Sequence, residues 1–171
     1  DERNVTGKTT EDGSWFFAVK ARDEAGNWSE TARIEFVRDT TPPEKPVLEL
    51  PGMDEKGFFL SNTFSLKWSR PEPDISGYSY SLEYLGSLDF AEKILDDYLS
   101  DETSYQAAFN QAVKEGRIKE PVLPSRIIST LDNYSVWNID NGLYAFSVAA
   151  IDSAGNIGLA ETKYLLFNKY I

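Results

Sequence analysis

The sequence predicts an all-β protein of antiparallel strands, with a pair of helices inserted in the second half of the chain. Residues 12–27 recur as residues 141–156 with eight identical positions, and both copies carry large side chains at every second position. A period of two is typical of a strand with one buried face. Between the copies, residues 90–113 change to the three-to-four-residue spacing of amphipathic helices. One supersecondary unit therefore occurs twice, and helices interrupt the chain between its two copies.

The first copy predicts a hairpin, with strands over 14–22 and 31–38 joined by a turn of sequence Asp-x-Ala-Gly-Asn. Glycine tolerates the positive φ that a tight turn needs, and Asp and Asn side chains bond the backbone of such turns. The second copy repeats the turn. Six residues are therefore predicted to hold the two turns rather than a metal: Asp23, Gly26, Asn27, Asp152, Gly155 and Asn156.

Further strands are predicted over 47–50, 59–68, 78–85 and 164–167, with a proline-rich boundary at 41–46. Proline lacks the N–H that a strand ladder requires, so this boundary separates two modules. Apolar side chains alternate along the strands on each side of the insertion. The predicted structural core therefore contains Trp68, Tyr144, Phe146 and Val148.

Two amphipathic helices are predicted inside the insertion. The first begins at Asp89 as its N-cap, and the second covers 104–115, with Thr103 and Gln106 as a capping box and Gly116 at its end. A strand is predicted to follow at 126–129. The apolar stripes either pack over the sheets or form a docking surface for a partner, and the sequence leaves both open.

The motifs resemble those of a known module. Phe64-x-Leu66-x-Trp68, then 75–78 (Ile-Ser-Gly-Tyr) and 142–156 are similar in order and spacing to a fibronectin type III module. They resemble in particular the Ig-like repeats of large bacterial envelope and secreted proteins. The resemblance implies a fibronectin type III-like antiparallel β-sandwich in which Tyr144 is the tyrosine-corner residue. It implies that 1–40 is the C-terminal half of a preceding module, 41–46 a linker, and 47–171 a module with a helical insertion at about 86–133. We expect these 171 residues to be a piece of a longer protein.

Composition excludes several function classes. A net charge of −11 argues against a nucleic-acid partner, and no apolar run is long enough for this segment to insert into a membrane. The chain has no His and no Cys, which removes the commonest general base, the commonest zinc ligands and all thiol chemistry. We therefore predict that the chain is not an enzyme, and we assign no catalytic, cofactor-binding or metal-binding residue.

The predicted function is a non-catalytic structural and interaction module of a multi-domain bacterial surface or envelope protein. It would be extracellular, on the cell surface or periplasmic, with a protein or a neighbouring module as partner. The helical insertion is the candidate docking surface, and the candidate partner contacts are Trp28, Tyr98 and Tyr105. Two alternatives remain open: a carbohydrate-binding accessory module that binds a glycan, and an assembly subunit that exchanges strands through its incomplete first sandwich.

Overall fold

The computed structural model of the chain describes residues 6–54, 57–59, 61 and 63–168. The chain forms two compact units, Asp1–Thr41 (unit 1) and Pro42–Ile171 (unit 2). Strands predominate, and both helices found in the described residues belong to unit 2. None of those helices is long and apolar enough to cross a bilayer.

Unit 1 contains a two-stranded antiparallel sheet. Strand β1 (Gly13–Val19) pairs with β2 (Ala32–Arg38), and the register sets Trp15 opposite Phe36 and Phe17 opposite Ile34. Strand β1 ends earlier than the sequence predicts, because the Ser29 hydroxyl accepts the N–H of Ala21 at 2.9 Å. Within residues 6–41, which the structure describes, no side chain is fully buried.

Unit 2 is built on two three-stranded antiparallel sheets. The first sheet has the order β3 (Leu48–Glu49), β4 (Thr63–Trp68), β6 (Asn133–Trp137). The second has the order β5 (Ile75–Gly86), β7 (Gly142–Asp152), β8 (Glu161–Phe167). Leu60 and Asn62, which the sequence also placed in the strand that becomes β4, lie outside the described residues.

The two sheets face each other across one aromatic core. Phe64, Leu66 and Trp68 alternate on the inner side of β4, and Tyr144 and Phe146 point at them from β7. In immunoglobulin nomenclature the strand orders are A-B-E and C-F-G, which is the arrangement of a fibronectin type III-like sandwich. The predicted fold class is confirmed.

The strand predicted at 126–129 is wrong, since the fourth strand of unit 2 is β6 at 133–137. Residues 121–131 (the return segment) instead lie beside β5, the outermost strand of its sheet. The N–H groups of Ile128 and Ser129 donate to the Tyr78 carbonyl, and that of Arg126 donates to Ser79 Oγ. Pro121 and Pro124 prevent a regular ladder here.

The insertion forms two helices, α1 (Leu88–Tyr98) and α2 (Tyr105–Lys114). Their predicted starts are corrected: Ser87 and Ser104 are the N-caps, and each hydroxyl accepts a backbone N–H from the first turn. Asp89 is already helical, and the Gln106 side chain does not form a capping box with Thr103. Gly116 follows α2 at a φ of 73°, as its predicted role as a helix end requires.

Both helices pack on the outer face of the second sheet. Ile94, Phe109 and Ala112 join Leu143 and Leu166 in a second buried cluster on the side of β7 and β8 that faces away from the sandwich core. Strand β7 is consequently buried on both faces along its whole length. The insertion is therefore a structural layer of unit 2.

The proline-rich segment is fastened to unit 2. Pro43 and Pro46 are buried, and the Lys45 ammonium lies 2.7 Å from the Glu161 carboxylate of β8. Pro43 passes so close to Gly158 that a Cβ there would lie 2.3 Å from its carbonyl oxygen. Residues from Pro42 onwards thus form part of unit 2, where the sequence suggested a linker over 41–46.

Candidate functional site

The two Asp-x-Ala-Gly-Asn turns have the same internal bonding. Asp152 Oδ1 accepts the N–H groups of Ala154 and Asn156 at 2.9 Å, and Oδ2 accepts Asn156 Nδ2 at 2.9 Å. In the first turn, Asp23 accepts both the N–H and the Nδ2 of Asn27. Gly26 and Gly155 adopt φ values of 94° and 90°. The structure therefore places all six predicted turn residues in intramolecular bonding of the two hairpins.

The same bonds set the acidity of the two aspartates. Burial raises the pKa of Asp152, but the hydrogen bonds from Asn156 and the backbone of the turn outweigh it, and the net pKa is lowered. The bonds from Asn27 lower the pKa of Asp23 in the same way. Each carboxylate is therefore held ionised by the turn that it stabilises.

Acidification is expected to weaken unit 2 through Asp152. Because its folded pKa lies below the ordinary value of 3.8, the unfolded chain binds the proton first as the pH falls below about 4, and the free energy of unfolding decreases through the folded pKa. Asp152→Asn cannot titrate and is expected to cost about 1–2 kcal/mol at pH 7. Urea unfolding at pH 7, 4 and 3 should show this difference shrinking towards acid. A cost of Asp152→Asn that stays the same at all three pH values would contradict a role for the charge. The matched control is Asp23→Asn, the same substitution in the exposed turn of unit 1.

The predicted core residues lie in the centre of unit 2. Trp68, Phe146 and Val148 are buried, with exposed fractions of 3% or less. Tyr144 lies near the start of β7, and its hydroxyl donates to the Asp140 carbonyl at 3.2 Å. This bond back to the chain a few residues upstream is the geometry of a tyrosine corner.

Tyr98 and Tyr105 are half-buried and are engaged within unit 2. The Tyr98 hydroxyl donates to the Glu115 carboxylate, and the Arg117 guanidinium lies 5.3 Å from its ring centroid. The Tyr105 hydroxyl reaches Met53 Sδ at 3.5 Å, and its ring fills the space beside Gly57. Both tyrosines therefore connect a helix end to a neighbouring segment of unit 2.

Trp28 is different, because 63% of its surface is exposed. It directly follows the first turn, and the Arg22 guanidinium lies 5.6 Å from its ring centroid. Its counterpart in the second copy is Ile157, which is also exposed. Of the three candidate partner contacts, Trp28 presents its side chain most openly to solvent.

In unit 2, exposed aromatic side chains are scattered. Trp137 lies on β6 and Tyr84 on β5, which belong to different sheets, and both are exposed. Among the described residues, the stacked aromatic pairs all involve core rings. The carbohydrate-binding alternative stays a prediction.

An open cleft of about 470 Å³ lies between α1 and the segment at Phe58, and it carries two carboxylates, Glu92 and Asp96. The other lining residues, Leu95 and Leu99, are aliphatic. These lining side chains supply negative charge beside an apolar wall.

Two exposed apolar surfaces are the strongest candidates for contact with other molecules. The first is one face of the unit 1 sheet, where Phe17, Val19, Ile34 and Phe36 are all at least 42% exposed. The second is the return segment, whose exposed aliphatic side chains are Val122, Leu123, Ile127, Ile128 and Leu131. The first surface is consistent with the incomplete first sandwich expected from the sequence. The second was not predicted, because 126–129 were expected to form a strand.

The insertion also covers both outer strands of the second sheet, in keeping with the interpretation that it packs over the sheets. Gln106 of α2 bonds both backbone groups of Tyr164 in β8, donating to its carbonyl at 2.7 Å and accepting its N–H at 2.9 Å. On β5, the N–H of Val122 donates to Glu83 and Ser81 Oγ donates to the Val122 carbonyl. Covered edges discourage pairing with strands of other molecules.

No protein-family model matches the sequence, and no curated protein matches it. Among solved structures, the chain is similar to the crystal structure of the FN1–FN3 domains of chicken CNTN1, with 18% identity and a TM-score of 0.43. The match covers 94% of this chain and 45% of that one, so the chain spans less than half of the length of that structure. The fibronectin type III-like fold is shown by the strand order of unit 2 and by the core that lies between its two sheets.

Proposed function

We propose that this chain is a non-catalytic structural and interaction segment of a multi-domain protein, with tandem fibronectin type III-like modules at the bacterial cell surface or envelope. The observation that carries the proposal is the exact offset of 129 residues between the two hairpins. Arg22 and Trp28 form an antiparallel β-bridge, and so do their counterparts Ile151 and Ile157. The N–H of Ser29 donates to the Ala21 carbonyl, and the N–H of Gly158 donates to the Ala150 carbonyl in the same way. A unit repeated in this way along one chain is typical of a modular array.

The surface chemistry supports a solvated, spacer-like role. The net charge of −11 opposes self-association of like surfaces, and the outermost strands of the second sheet in unit 2 are covered by Gln106 and the return segment. A module in an array must avoid pairing with its copies. The negative charge and the covered edge strands of unit 2 oppose such pairing.

Within the insertion, the return segment is the surface we assign to a protein partner. The apolar stripes of α1 and α2 are already used against β7 and β8, whereas Val122, Leu123 and Ile127 point to solvent from a segment that proline keeps extended. Exposed aliphatic side chains grouped on one loop favour protein contacts over glycan contacts.

Cysteine labelling on intact source cells tests the proposed location, since residues 1–171 contain no Cys and the unsubstituted polypeptide serves as the blank for labelling elsewhere. In the natural polypeptide, Trp137→Cys places a thiol at a position that is 74% exposed, and Ala112→Cys places one at a fully buried position. A maleimide too polar to cross the cytoplasmic membrane is expected to label Trp137→Cys on intact cells. It is expected to label Ala112→Cys only after the protein is denatured. Labelling of Trp137→Cys that requires disruption of the cytoplasmic membrane would place the protein in the cytosol and contradict the proposal.

A further inference from the structure

The apolar face of unit 1, formed by Trp15, Phe17, Val19, Ile34 and Phe36, corresponds residue for residue to a face that is covered in unit 2. With the 129-residue offset, Trp15 matches Tyr144, Phe17 matches Phe146 and Val19 matches Val148. All three counterparts belong to the sandwich core, where they contact the sheet of β3, β4 and β6. The second copy thus shows what kind of surface fits on the first.

The opposite face of unit 1 has other chemistry. In unit 2 the outer face carries Leu143, Tyr164 and Leu166, which the two helices cover. The matching positions in unit 1 are Ser14, Glu35 and Val37, and Arg33 lies beside them with its guanidinium 5.9 Å from the Phe16 ring centroid. A face with Glu35 and Arg33 at its centre suits solvent, so unit 1 has one face for a sheet and no face for a helical layer.

The apolar part of the inner face is also displaced towards the turn. Strand β8 presents Lys163, Leu165 and Phe167 at its inner positions, and Phe167 stacks on Phe59 and Phe64. Strand β2 has Ile34, Phe36 and Arg38 at those positions, and Arg38 is bonded to the Asp12 carboxylate at 2.6 Å. Compared with unit 2, unit 1 therefore has the apolar Ile34 in place of Lys163, and it has Arg38 in place of the stacked Phe167.

We propose that this face is the inner face of a second β-sandwich, covered by a three-stranded antiparallel sheet that the same polypeptide supplies from outside residues 1–171. The inference rests on the proposed tandem array. The covering sheet has the chemistry of β3, β4 and β6, with apolar residues at alternating positions, but it lacks the aromatic pair of Phe59 and Phe64 and carries no helical layer on its partner strands. Such a sheet would bury Phe17 and Ile34, which a two-stranded hairpin cannot bury by itself.

Hydrogen exchange of the β1 and β2 amides tests this proposal. The 171-residue chain is compared with the natural polypeptide that contains it. We expect the amides of β1 and β2 to exchange at least about 100-fold more slowly in the natural polypeptide, because a covered sheet opens less often. Phe17→Asp should abolish that protection, whereas Phe16→Asp, on the opposite face of the same strand, should preserve it.

Equal exchange in the two proteins would overturn the proposal, as would protection that Phe16→Asp removes and Phe17→Asp does not. Protection that already exists in the 171-residue chain and rises with its concentration would assign the face to a second copy and overturn it as well. The labelling of Trp137→Cys on cells tests the location through unit 2, and the exchange of the β1 and β2 amides tests the cover of unit 1, so the failure of one proposal is distinguishable from the failure of the other.

Discussion

Replacing Trp68 with Ala is expected to lower the free energy of unfolding of unit 2 by about 3–5 kcal/mol, the cost of deleting a large buried aromatic ring. The indole is 3% exposed, and its ring centroid lies 5.5 Å from that of Tyr78 and 5.9 Å from that of Phe146. It therefore joins side chains of both sheets. Urea unfolding followed by circular dichroism measures the effect without depending on tryptophan fluorescence.

Two controls isolate the cause. Trp68 Nε1 is the buried side-chain polar atom that has no hydrogen-bond partner among the described residues, so Trp68→Phe sacrifices no hydrogen bond and is expected to cost less than about 1.5 kcal/mol. Trp137→Ala removes an indole that is 74% exposed and is expected to stay within about 0.5 kcal/mol of the natural protein. If Trp68→Phe costs as much as Trp68→Ala, the indole N–H and not the ring volume is what the core requires.

The strands were predictable because one-sided burial leaves a period of two in the sequence. Strand β4 alternates buried and exposed residues along its length, so Phe64, Leu66 and Trp68 revealed both its position and its inner face. The hairpin turns were predictable for a similar local reason. Asp152, Gly155 and Asn156 bond one another within five residues, so the whole interaction is visible in the local sequence.

The insertion was less predictable, because its contacts are distant in sequence. Gln106 is suited to a capping box, but its amide bonds Tyr164, and only the packing of α2 beside β8 brings them together. Ser87 and Asp89 are both good N-cap residues, and the backbone conformation of Ser87 decides between them. Short apolar runs are ambiguous too, since Ile127 and Ile128 have strand propensity and yet lie exposed beside β5.

Phe109→Ala is expected to destabilise unit 2 by about 3–5 kcal/mol, because Phe109 is the fully buried anchor of the helical layer. Its ring centroid lies 5.6 Å from that of Tyr164 in β8, and it shares one cluster with Leu143 of β7 and Ile94 of α1. The loss should therefore affect both helices and the sheet. We expect the helical and the strand signals in circular dichroism to shift together to a lower urea midpoint.

Asn110→Ala is the matched control, since Asn110 lies on the exposed side of the same helix and its replacement should change stability by no more than about 0.5 kcal/mol. The alternative is that the helices do not contribute to the stability of the sandwich, which would then unfold independently of them. In that case Phe109→Ala would melt the helices first and leave the unfolding of β4 and β7 unchanged. A single shared transition would instead mean that the outer face of β7 needs its helical cover, and that a module of this kind cannot lose its insertion without losing its fold.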